Sequence, residues 1–401
     1  MRPVYLDNNA TTRTDPAVVE AMLPYFTEQF GNPSSAHAFG SEVGVALKEA
    51  RQKLQMLLGA ERDHEIIFTS GGTESDNAAI LSALQTQEGR DEIVTTTVEH
   101  PAILTLVANL ERARGIKVHL IGVDQQGRLD IEAYQKALGP KTAIASVMWA
   151  NNETGTIFPV ATLAKMAHEA GALFHTDAVQ AVGKIPIDLK STEIDMLSLS
   201  GHKLHGPKGI GALYVKKGVK FKALVQGGHQ ERGRRGGTEN APAIIGLGKA
   251  AELALAHMED EQTRVRALRD RLEAGVLQIG RCCVNGDGDN RLPNTANIAF
   301  ELLDGEAILL NMNRAGIAAS SGSACTSGST EPSHVLRAMN LPAKSLHGVI
   351  RISLSRENTS EDVDQVLEVL PAIIAKLRAM SPASQEPPTS QERQPNASAH
   401  G

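Results

Sequence analysis

One lysine in this chain, Lys203, lies where a reactive amine would be placed. It stands in IDMLSLSGHKLHGPKGIG (194–211), where an apolar run typical of a buried strand ends in a glycine-rich turn. Desolvation and neighbouring cations would lower the pKa of such a lysine, and the free amine could then form a Schiff base. Taken alone, the segment fits a solvated lysine in a polar loop at least as well.

A glycine turn at residues 70–74 could bind a phosphate group. The sequence Ser-Gly-Gly-Thr-Glu follows a strand candidate and opens a helix, so the backbone N–H groups around Gly72 and the Thr73 hydroxyl could form an anion cradle. It is not a nucleotide P-loop, because the GK[ST] ending is missing. A tight strand-to-helix connection is the alternative.

Polar side chains follow three further strand candidates, at the sheet edge where open α/β sheets bind ligands. Asp177 ends the apolar run FHTD, where a buried carboxylate would need a cationic partner such as a protonated ring nitrogen. Capping of a short helix over 178–182 is the alternative. His100, in EHP, could stack on a planar ring or simply begin a helix. Asn152, in ANNETG, indicates little by itself.

Cys325 is the second candidate for covalent chemistry. It lies in SSGSACTSG (320–328), a run of small residues from which a mobile arm could carry a thiol to a cofactor and away again. A buried structural cysteine is the alternative, although this loop offers little to bury it. Cys282 and Cys283 are adjacent, which is neither a redox-pair spacing nor a zinc motif, so we expect them to be structural.

A parallel sheet would bring these candidates together, and the sequence predicts one. Strand candidates alternate with helical segments from residue 65 onward, which is typical of βαβ units with helices on both faces of a sheet. The predicted strands are Glu65–Thr69, Ile93–Thr97, Lys117–Ile121, Ala143–Trp149, Ala172–Thr176, Asp195–Leu199 and Ile210–Val215.

The pattern changes after residue 237. A nearly continuous helix is predicted over 238–278, followed by strands and helices at Asn297–Glu301, Glu306–Arg314, Pro332–Met339, Val349–Leu354 and from Ser360 onward. We therefore expect a large domain over 15–255 and a smaller α+β domain formed by 1–14 and 256–380. Residues 381–401 contain no large apolar residue and are expected to be a disordered tail.

Composition and charge exclude several classes of function. The chain has 401 residues and a net charge of −6, which gives no basic surface for nucleic acid or for an anionic membrane. No apolar run approaches the length of a membrane span, and the first residues lack the apolar core of a signal peptide. We therefore expect a cytoplasmic protein that acts on a small molecule and keeps its cysteines reduced.

Together, the motifs follow successive strands in the order that a pyridoxal-phosphate enzyme of fold type I, the aspartate-aminotransferase fold, requires. The chain resembles cysteine desulfurases of the NifS/IscS group over about 4–379, and leans toward the nitrogenase-associated NifS branch. GGHQERGRR and the Pro/Ser/Gln tail depart from the commoner pattern. The segments that carry the resemblance are VYLDNNATT, GNPSSAHAFG, EIIFTSGGTESDN, TTVEHPAIL, ANNETGTIFPV, FHTDAVQAVGK, LSLSGHKLHGPKGIGALYV, QERGRRGGTEN and SSGSACTSGSTEPSHVL.

The resemblance implies a role for each candidate. Lys203 would form the Schiff base with pyridoxal phosphate, Asp177 would pair with the pyridine nitrogen, and His100 would stack on the ring and transfer protons. Arg351, with Asn152, would hold the substrate carboxylate, although an arginine on an edge strand is more often simply solvated. Gln180 would contact the ring hydroxyl, and Thr73, Ser200 and His202 would hold the phosphate, with Gly72 and Asn152 as further cofactor contacts. Thr238 would reach the phosphate of the neighbouring subunit in a homodimer.

The implied reaction converts L-cysteine to L-alanine. Lys203 would remove the Cα proton, and the Cys325 thiolate would take the sulfur as a persulfide. The sulfur would then pass to an iron-sulfur scaffold protein, with Cys325 as a transient metal ligand shared with it. Three alternatives stay open: a housekeeping desulfurase, a pyridoxal-phosphate lyase acting on selenocysteine or cysteine sulfinate, and a non-catalytic sulfur carrier or assembly scaffold.

Overall fold

The computed structural model describes residues 2–322 and 332–380. The strands in this part of the chain are β1 (Val4–Tyr5), β2 (Ile66–Thr69), β3 (Glu92–Thr96), β4 (Lys117–Ile121), β5 (Thr142–Ser146), β6 (Leu173–Asp177), β7 (Met196–Ser200), β8 (Gly211–Val215), β9 (Cys282–Val284), β10 (Thr295–Phe300), β11 (Ile317–Ala318) and β12 (Val349–Ser353). The helices are α1 (Pro16–Met22), α2 (Pro24–Thr27), α3 (Ala38–Leu58), α4 (Gly72–Thr86), α5 (Pro101–Arg114), α6 (Ile131–Ala137), α7 (Val160–Glu169), α8 (Ala241–Ala256), α9 (Met258–Asp260), α10 (Arg266–Leu277), α11 (Gly305–Arg314), α12 (His334–Ala338), α13 (Ala343–Leu346) and α14 (Ser360–Met380).

The larger sheet has seven strands in the order β2-β8-β7-β6-β5-β3-β4. Strand β8 runs antiparallel to both of its neighbours, and the other pairings are parallel. Every residue of β5, β7 and β8 is buried. These strands are buried on both sides because helices cover both faces of the sheet.

Two groups of helices cover the two faces of this sheet. Neighbouring strand residues point to opposite faces, so Met196 joins the core beneath α4 and α5, whereas Leu197 joins the core beneath α3, α7 and α8. Helices α3 and α8 approach each other closely, since a Cβ on Gly248 would lie 2.6 Å from the Cα of Ala50. The helices therefore hold the sheet rigidly on both faces, and the loops lie at the carboxyl edge of the sheet.

The remainder of the chain forms a second layer of sheet and helices with its own core. Strands β12-β10-β9 make an antiparallel sheet, against which α10, α11 and α14 pack. The N-terminal strand β1 pairs in parallel with β11, and Val4 and Leu6 belong to this second core. The boundaries of the two domains stay predictions.

The predicted α/β class with a large, mainly parallel sheet is confirmed, and each predicted strand is present, Lys117–Ile121 with the predicted ends and the others with shifted ends. The nearly continuous helix predicted over 238–278 is present over 241–277, with an interruption at His257 and a π-helical turn at Glu261–Val265. Strands β9 and β11 were not predicted, since two or three residues carry no periodicity. Among the described residues, none of the helices has the length and apolarity needed to cross a bilayer.

Candidate active site

A cavity of about 260 Å³ opens at the carboxyl edge of the large sheet. The predicted residues that lie in the described part of the chain all line it, with the exception of Thr238. They are Gly72, Thr73, His100, Asn152, Asp177, Gln180, Ser200, His202, Lys203 and Arg351. Thr238 is exposed to solvent, and Cys325 lies outside the described residues.

Lys203 is the last residue of a short 3₁₀ turn, Gly201–Lys203, that follows β7. Its Nζ donates a hydrogen bond to the carbonyl oxygen of Ala10 at 2.8 Å and another to that of Asn9. The turn is compact, since a Cβ on Gly206 would lie 2.8 Å from the Gly201 carbonyl oxygen. The N-terminal segment, far away in sequence, therefore holds the amine at the cavity wall.

Asp177 ends β6 and is buried in the cavity wall. One of its oxygens, Oδ1, accepts a hydrogen bond from the backbone N–H of Val179 at 2.9 Å. The residues that follow form turns and not the helix that capping would require. Burial raises the pKa of Asp177, and the Val179 N–H and the charges of His100 and Lys203 oppose that rise.

A second carboxyl group, Asp76, lies beside Asp177 and was missed by sequence reasoning. It is almost fully buried, lines the cavity, and its Oδ1 has no hydrogen-bond partner among residues 2–322 and 332–380. Burial raises the pKa of Asp76 well above its usual range, and the charge of Asp177 raises it further. The sequence signal that could have indicated Asp76 is a charged residue on the buried face of helix α4.

The nearest imidazole cannot neutralise these acids. Nε2 of His175 lies 3.7 Å from Asp76 Oδ1, but both ring nitrogens of His175 contact serine hydroxyls, Ser146 and Ser198, at 2.9 Å. Burial lowers the pKa of His175 to about 3, so the ring is neutral at physiological pH. A cationic group entering the cavity would therefore be stabilised next to Asp177.

An anion cradle forms where α4 begins. The helix has 15 residues and starts at Gly72, so its first N–H groups and its dipole favour a negative charge at this point. A side chain at Gly72 would close the cradle, because a Cβ there would lie 2.8 Å from Cγ2 of Val179. Ser200 lies close to this point, since its Cβ would be 3.8 Å from a Cβ on Gly72, and His202 lines the same cavity.

His202 is a neutral hydrogen-bonding group in the cavity wall. Its Nδ1 lies 3.1 Å from the hydroxyl of Thr11. Burial, followed by the positive charge of Lys203, lowers the pKa of His202 to about 4. It can therefore hydrogen-bond an anion, but it does not add a full charge.

His100 combines the two interpretations that the sequence left open. It caps helix α5, because its Nδ1 accepts a hydrogen bond from the backbone N–H of Ala102 at 3.1 Å, and it also lines the cavity. With Nδ1 acting as an acceptor, the hydrogen of the neutral ring is on Nε2. Burial lowers the pKa of His100, against an opposing effect of Asp177.

Arg351 is buried, so its interpretation as a solvated edge-strand arginine is wrong. It lies on β12, at the edge of the small sheet, with 2% of its surface exposed. Its Nη2 donates to Asp7 Oδ1 at 2.7 Å, and its Nη1 donates to the carbonyl oxygen of Asn152 at 3.1 Å. Its Nε has no partner within the described ranges. The guanidinium therefore keeps a donor for a carboxylate.

These groups suit one kind of ligand. An amine, a buried carboxylate, a helix N-terminus and a guanidinium that line one cavity can hold a molecule with an aldehyde, a cationic ring and a phosphate, together with a substrate carboxylate. No group of three or more His, Cys, Asp or Glu side chains that could bind a metal occurs in 2–322 or 332–380.

Comparison with known proteins agrees with this geometry. Residues 4–366 match the aminotransferase class-V family, so the chain belongs to that family. It is 73% identical over 383 residues to the cysteine desulfurase of Gluconacetobacter diazotrophicus, covering 95% of this chain and 96% of that one. It is 63% identical to the cysteine desulfurase NifS of Azotobacter vinelandii, with 95% of each chain covered.

Solved structures show the same likeness. A NifS-like protein superimposes with a TM-score of 0.88 at 38% identity, covering 94% of this chain and 100% of that one. A structure described as SspA in complex with cysteine superimposes with a TM-score of 0.77 at 35% identity, covering 88% of this chain and 98% of that one. The fold type I assignment is therefore confirmed.

Proposed function

We propose that this protein is a pyridoxal-phosphate-dependent cysteine desulfurase that forms L-alanine from L-cysteine and takes the sulfur onto Cys325. The observation that carries the proposal is the single cavity in which Lys203, Asp177, the α4 cradle and Arg351 meet. The names of the relatives from Gluconacetobacter and Azotobacter support the reaction, and the cysteine-bound structural neighbour supports the substrate.

The residues of the cavity fit pyridoxal phosphate. The α4 N-terminus with Thr73, Ser200 and His202 would hold the phosphate, and His100 would stack on the ring. Asp177, beside the orphaned oxygen of Asp76, would pair with a protonated ring nitrogen. When bound, the cofactor supplies an electron sink for charge that develops at the substrate Cα.

The chain's own residues position the substrate and move its protons. Arg351 and Asn152 would bind the carboxylate of L-cysteine, and the Lys203 amine, released from the cofactor, would accept the Cα proton. His100, with its hydrogen on Nε2, is placed to exchange a proton over the ring face. The buried wall excludes water, which strengthens each of these interactions.

The sulfur step is assigned to Cys325. Its thiolate would attack the substrate sulfur, so that the carbon–sulfur bond breaks and a sulfur–sulfur bond forms. The electron pair left on carbon takes up a proton, and the products are alanine and a Cys325 persulfide. No external oxidant is required. The thiolate is the nucleophile, so the rate should depend on the ionisation of Cys325.

The same proposal extends to the biological setting. The likeness to NifS of Azotobacter vinelandii supports delivery of sulfur to an iron-sulfur scaffold for nitrogenase, with Cys325 as a transient ligand of the nascent cluster. A cytoplasmic location belongs to this proposal, because a reactive thiolate needs a reducing compartment. The housekeeping role is the second candidate for the same reaction.

A homodimer is also proposed. Several large apolar side chains between α1 and the first turns of α3 are more than half exposed, which is the composition of a protein interface and not of a free surface. They are Leu23, Phe26, Phe30 and Phe39. Thr238 is exposed outside its own cavity, as expected for a residue that serves the cavity of a second copy.

Thr238→Ala is expected to weaken pyridoxal-phosphate binding about tenfold in the dimer, since one hydrogen bond to a charged phosphate is lost. The dissociation constant can be measured by quenching of Trp149, the only tryptophan in the chain. Thr192→Ala is the matched control, because the Thr192 hydroxyl bonds locally, donating to the carbonyl oxygen of Leu189 and accepting from the backbone N–H of Ile194. A monomer that binds the cofactor normally would refute this role.

Asp177→Asn is expected to keep the fold and to reduce turnover of L-cysteine by about 10²–10³-fold, because a neutral amide no longer holds the ring nitrogen protonated. Circular dichroism and the turnover number with saturating cofactor check this. Wild-type turnover in the variant would show that Asp177 serves only to accept the Val179 N–H.

Substrate choice tests the proposed reaction against the lyase alternative. Reconstituted protein is expected to release alanine from L-cysteine, and this activity should be lost when Cys325 is alkylated. Activity on selenocysteine or cysteine sulfinate that survives alkylation, without activity on L-cysteine, would replace desulfuration by the lyase reaction. The absence of any visible cofactor band after reconstitution would leave only the sulfur carrier.

A further inference from the structure

A second lysine, Lys184, is buried beside the candidate site, and none of the steps above uses it. Its Nζ donates a hydrogen bond to Oε1 of Gln180 at 2.8 Å, and only 7% of the residue is exposed. Burial, followed by repulsion from Lys203, lowers the pKa of Lys184 to about 7, against an opposing effect of Glu261. An amine buried to this extent is costly unless it is paired, so its position calls for a reason.

Lys184 is held in place by the π-helical turn that interrupts the long helical segment. Glu261, in that turn, is buried, and its Oε2 has no hydrogen-bond partner in the described residues. The next residue, Gln262, donates to the backbone carbonyl oxygen of Lys184. Lys184, Glu261 and Lys203 line a small cavity of about 20 Å³. The π-helical turn thus brings the carboxyl group of Glu261 close to the buried amine of Lys184.

The consequence of this arrangement is that Gln180 has only one allowed orientation. In its protonated form Lys184 can only donate, so the Gln180 atom that it contacts is the amide oxygen. The Gln180 nitrogen donates to the carbonyl oxygen of Asn9 at 3.0 Å, and that partner can only accept. Since the amide nitrogen carries two hydrogens, one is left for a group in the cavity that Gln180 lines.

We propose that Lys184 is a positioning residue for the cofactor: its hydrogen bond to Gln180 Oε1 makes the amide present an N–H, and not its carbonyl oxygen, to the ring hydroxyl oxygen of pyridoxal phosphate. This inference rests on the proposed function. Lys184 and the Asn9 carbonyl oxygen hold the amide together. Without Lys184, the bond to Asn9 is the contact left among the described residues to oppose a half-turn that would bring the amide oxygen toward the negatively charged ring oxygen. Lys184 therefore acts through Gln180 and does not itself contact the cofactor.

The test is a double-mutant cycle on cofactor binding, read from the quenching of Trp149 by added pyridoxal phosphate. Trp149 is well placed, because its neighbours Met148 and Ala150 line the cavity. Lys184→Met is expected to raise the dissociation constant about tenfold. In a Gln180→Ala background, Lys184→Met should have no further effect, because the residue through which it acts is gone.

Two further variants separate positioning from folding. Lys216→Met is the matched control, since Lys216 is a partly buried lysine whose Nζ donates to the carbonyl oxygen of Thr192, away from the cavity, and it should bind the cofactor normally. If Lys184→Met folds poorly, Lys184→Met combined with Glu261→Gln removes both buried charges. This pair should restore the circular dichroism signal and keep the weakened binding.

Two outcomes would overturn the inference. One is unchanged cofactor binding in folded Lys184→Met, and the other is an effect of Lys184→Met that adds fully to that of Gln180→Ala. A wild-type protein that fails to bind pyridoxal phosphate at all would instead overturn the proposed function, so the two failures are distinguishable.

Discussion

Lys203→Ala is expected to abolish the visible absorbance of lysine-bound pyridoxal phosphate and to reduce turnover of L-cysteine by about 10⁴-fold or more. The variant loses the amine that donates to the carbonyl oxygens of Asn9 and Ala10 in the cavity wall. That amine is proposed both to bond the cofactor and to accept the Cα proton, so two functions are lost together. Absorbance and alanine formation measure them separately.

Lys208→Ala is the matched control for this experiment. Lys208 lies in the same glycine-rich segment but is exposed to solvent and does not line the cavity. It should keep both the absorbance and the turnover. Retained turnover in Lys203→Ala would mean that the lysine is a structural donor to the N-terminal segment, and the enzyme assignment would fail with it.

Cys325→Ser is expected to keep the cofactor absorbance, and its change on addition of L-cysteine, while desulfuration falls by about 10³-fold or more. Proton removal by Lys203 does not need the loop thiol. A serine hydroxyl is essentially un-ionised at neutral pH, whereas a thiol with an ordinary pKa of about 8.5 is already a few per cent thiolate. Spectra and sulfide release from the same sample check both parts.

Cys282→Ser and Cys283→Ser are the controls. They are neighbours on strand β9, so their side chains point to opposite faces; Cys282 donates to the Val276 carbonyl oxygen, and Cys283 is exposed. An alkylating reagent should modify Cys283 without loss of activity and modify Cys325 with complete loss. Sulfide release at the wild-type rate by Cys325→Ser would favour elimination without a persulfide.

The large sheet was predictable because its strands are long, apolar and separated by periodic helices. Where the sequence failed, local signals were short or misleading. Strand β9 has three residues, two of which are cysteines, and it forms because it can pair with the edge of β10. The interruption at His257 lies inside a strongly helical composition, and in the π-helical turn beyond it Gln262 donates to the backbone carbonyl oxygen of distant Lys184.

The candidate site was predictable wherever a polar residue directly follows a strand. Asp177 and Ser200 end their strands and Lys203 follows shortly after, so the parallel sheet alone brings them together. The partners that hold these residues could not be found in the same way. Asn9 and Asp7 reach the site through contacts with residues more than 170 positions away, and no local pattern marks them.

The most direct test of the account is a single turnover of L-cysteine by the reconstituted protein, followed by mass analysis of the peptide that contains Cys325. The account predicts one alanine formed per subunit and a gain of one sulfur atom on Cys325, with Cys282 and Cys283 unchanged. Alanine and free sulfide formed with Cys325 unmodified, at the same rate in Cys325→Ala, would contradict it.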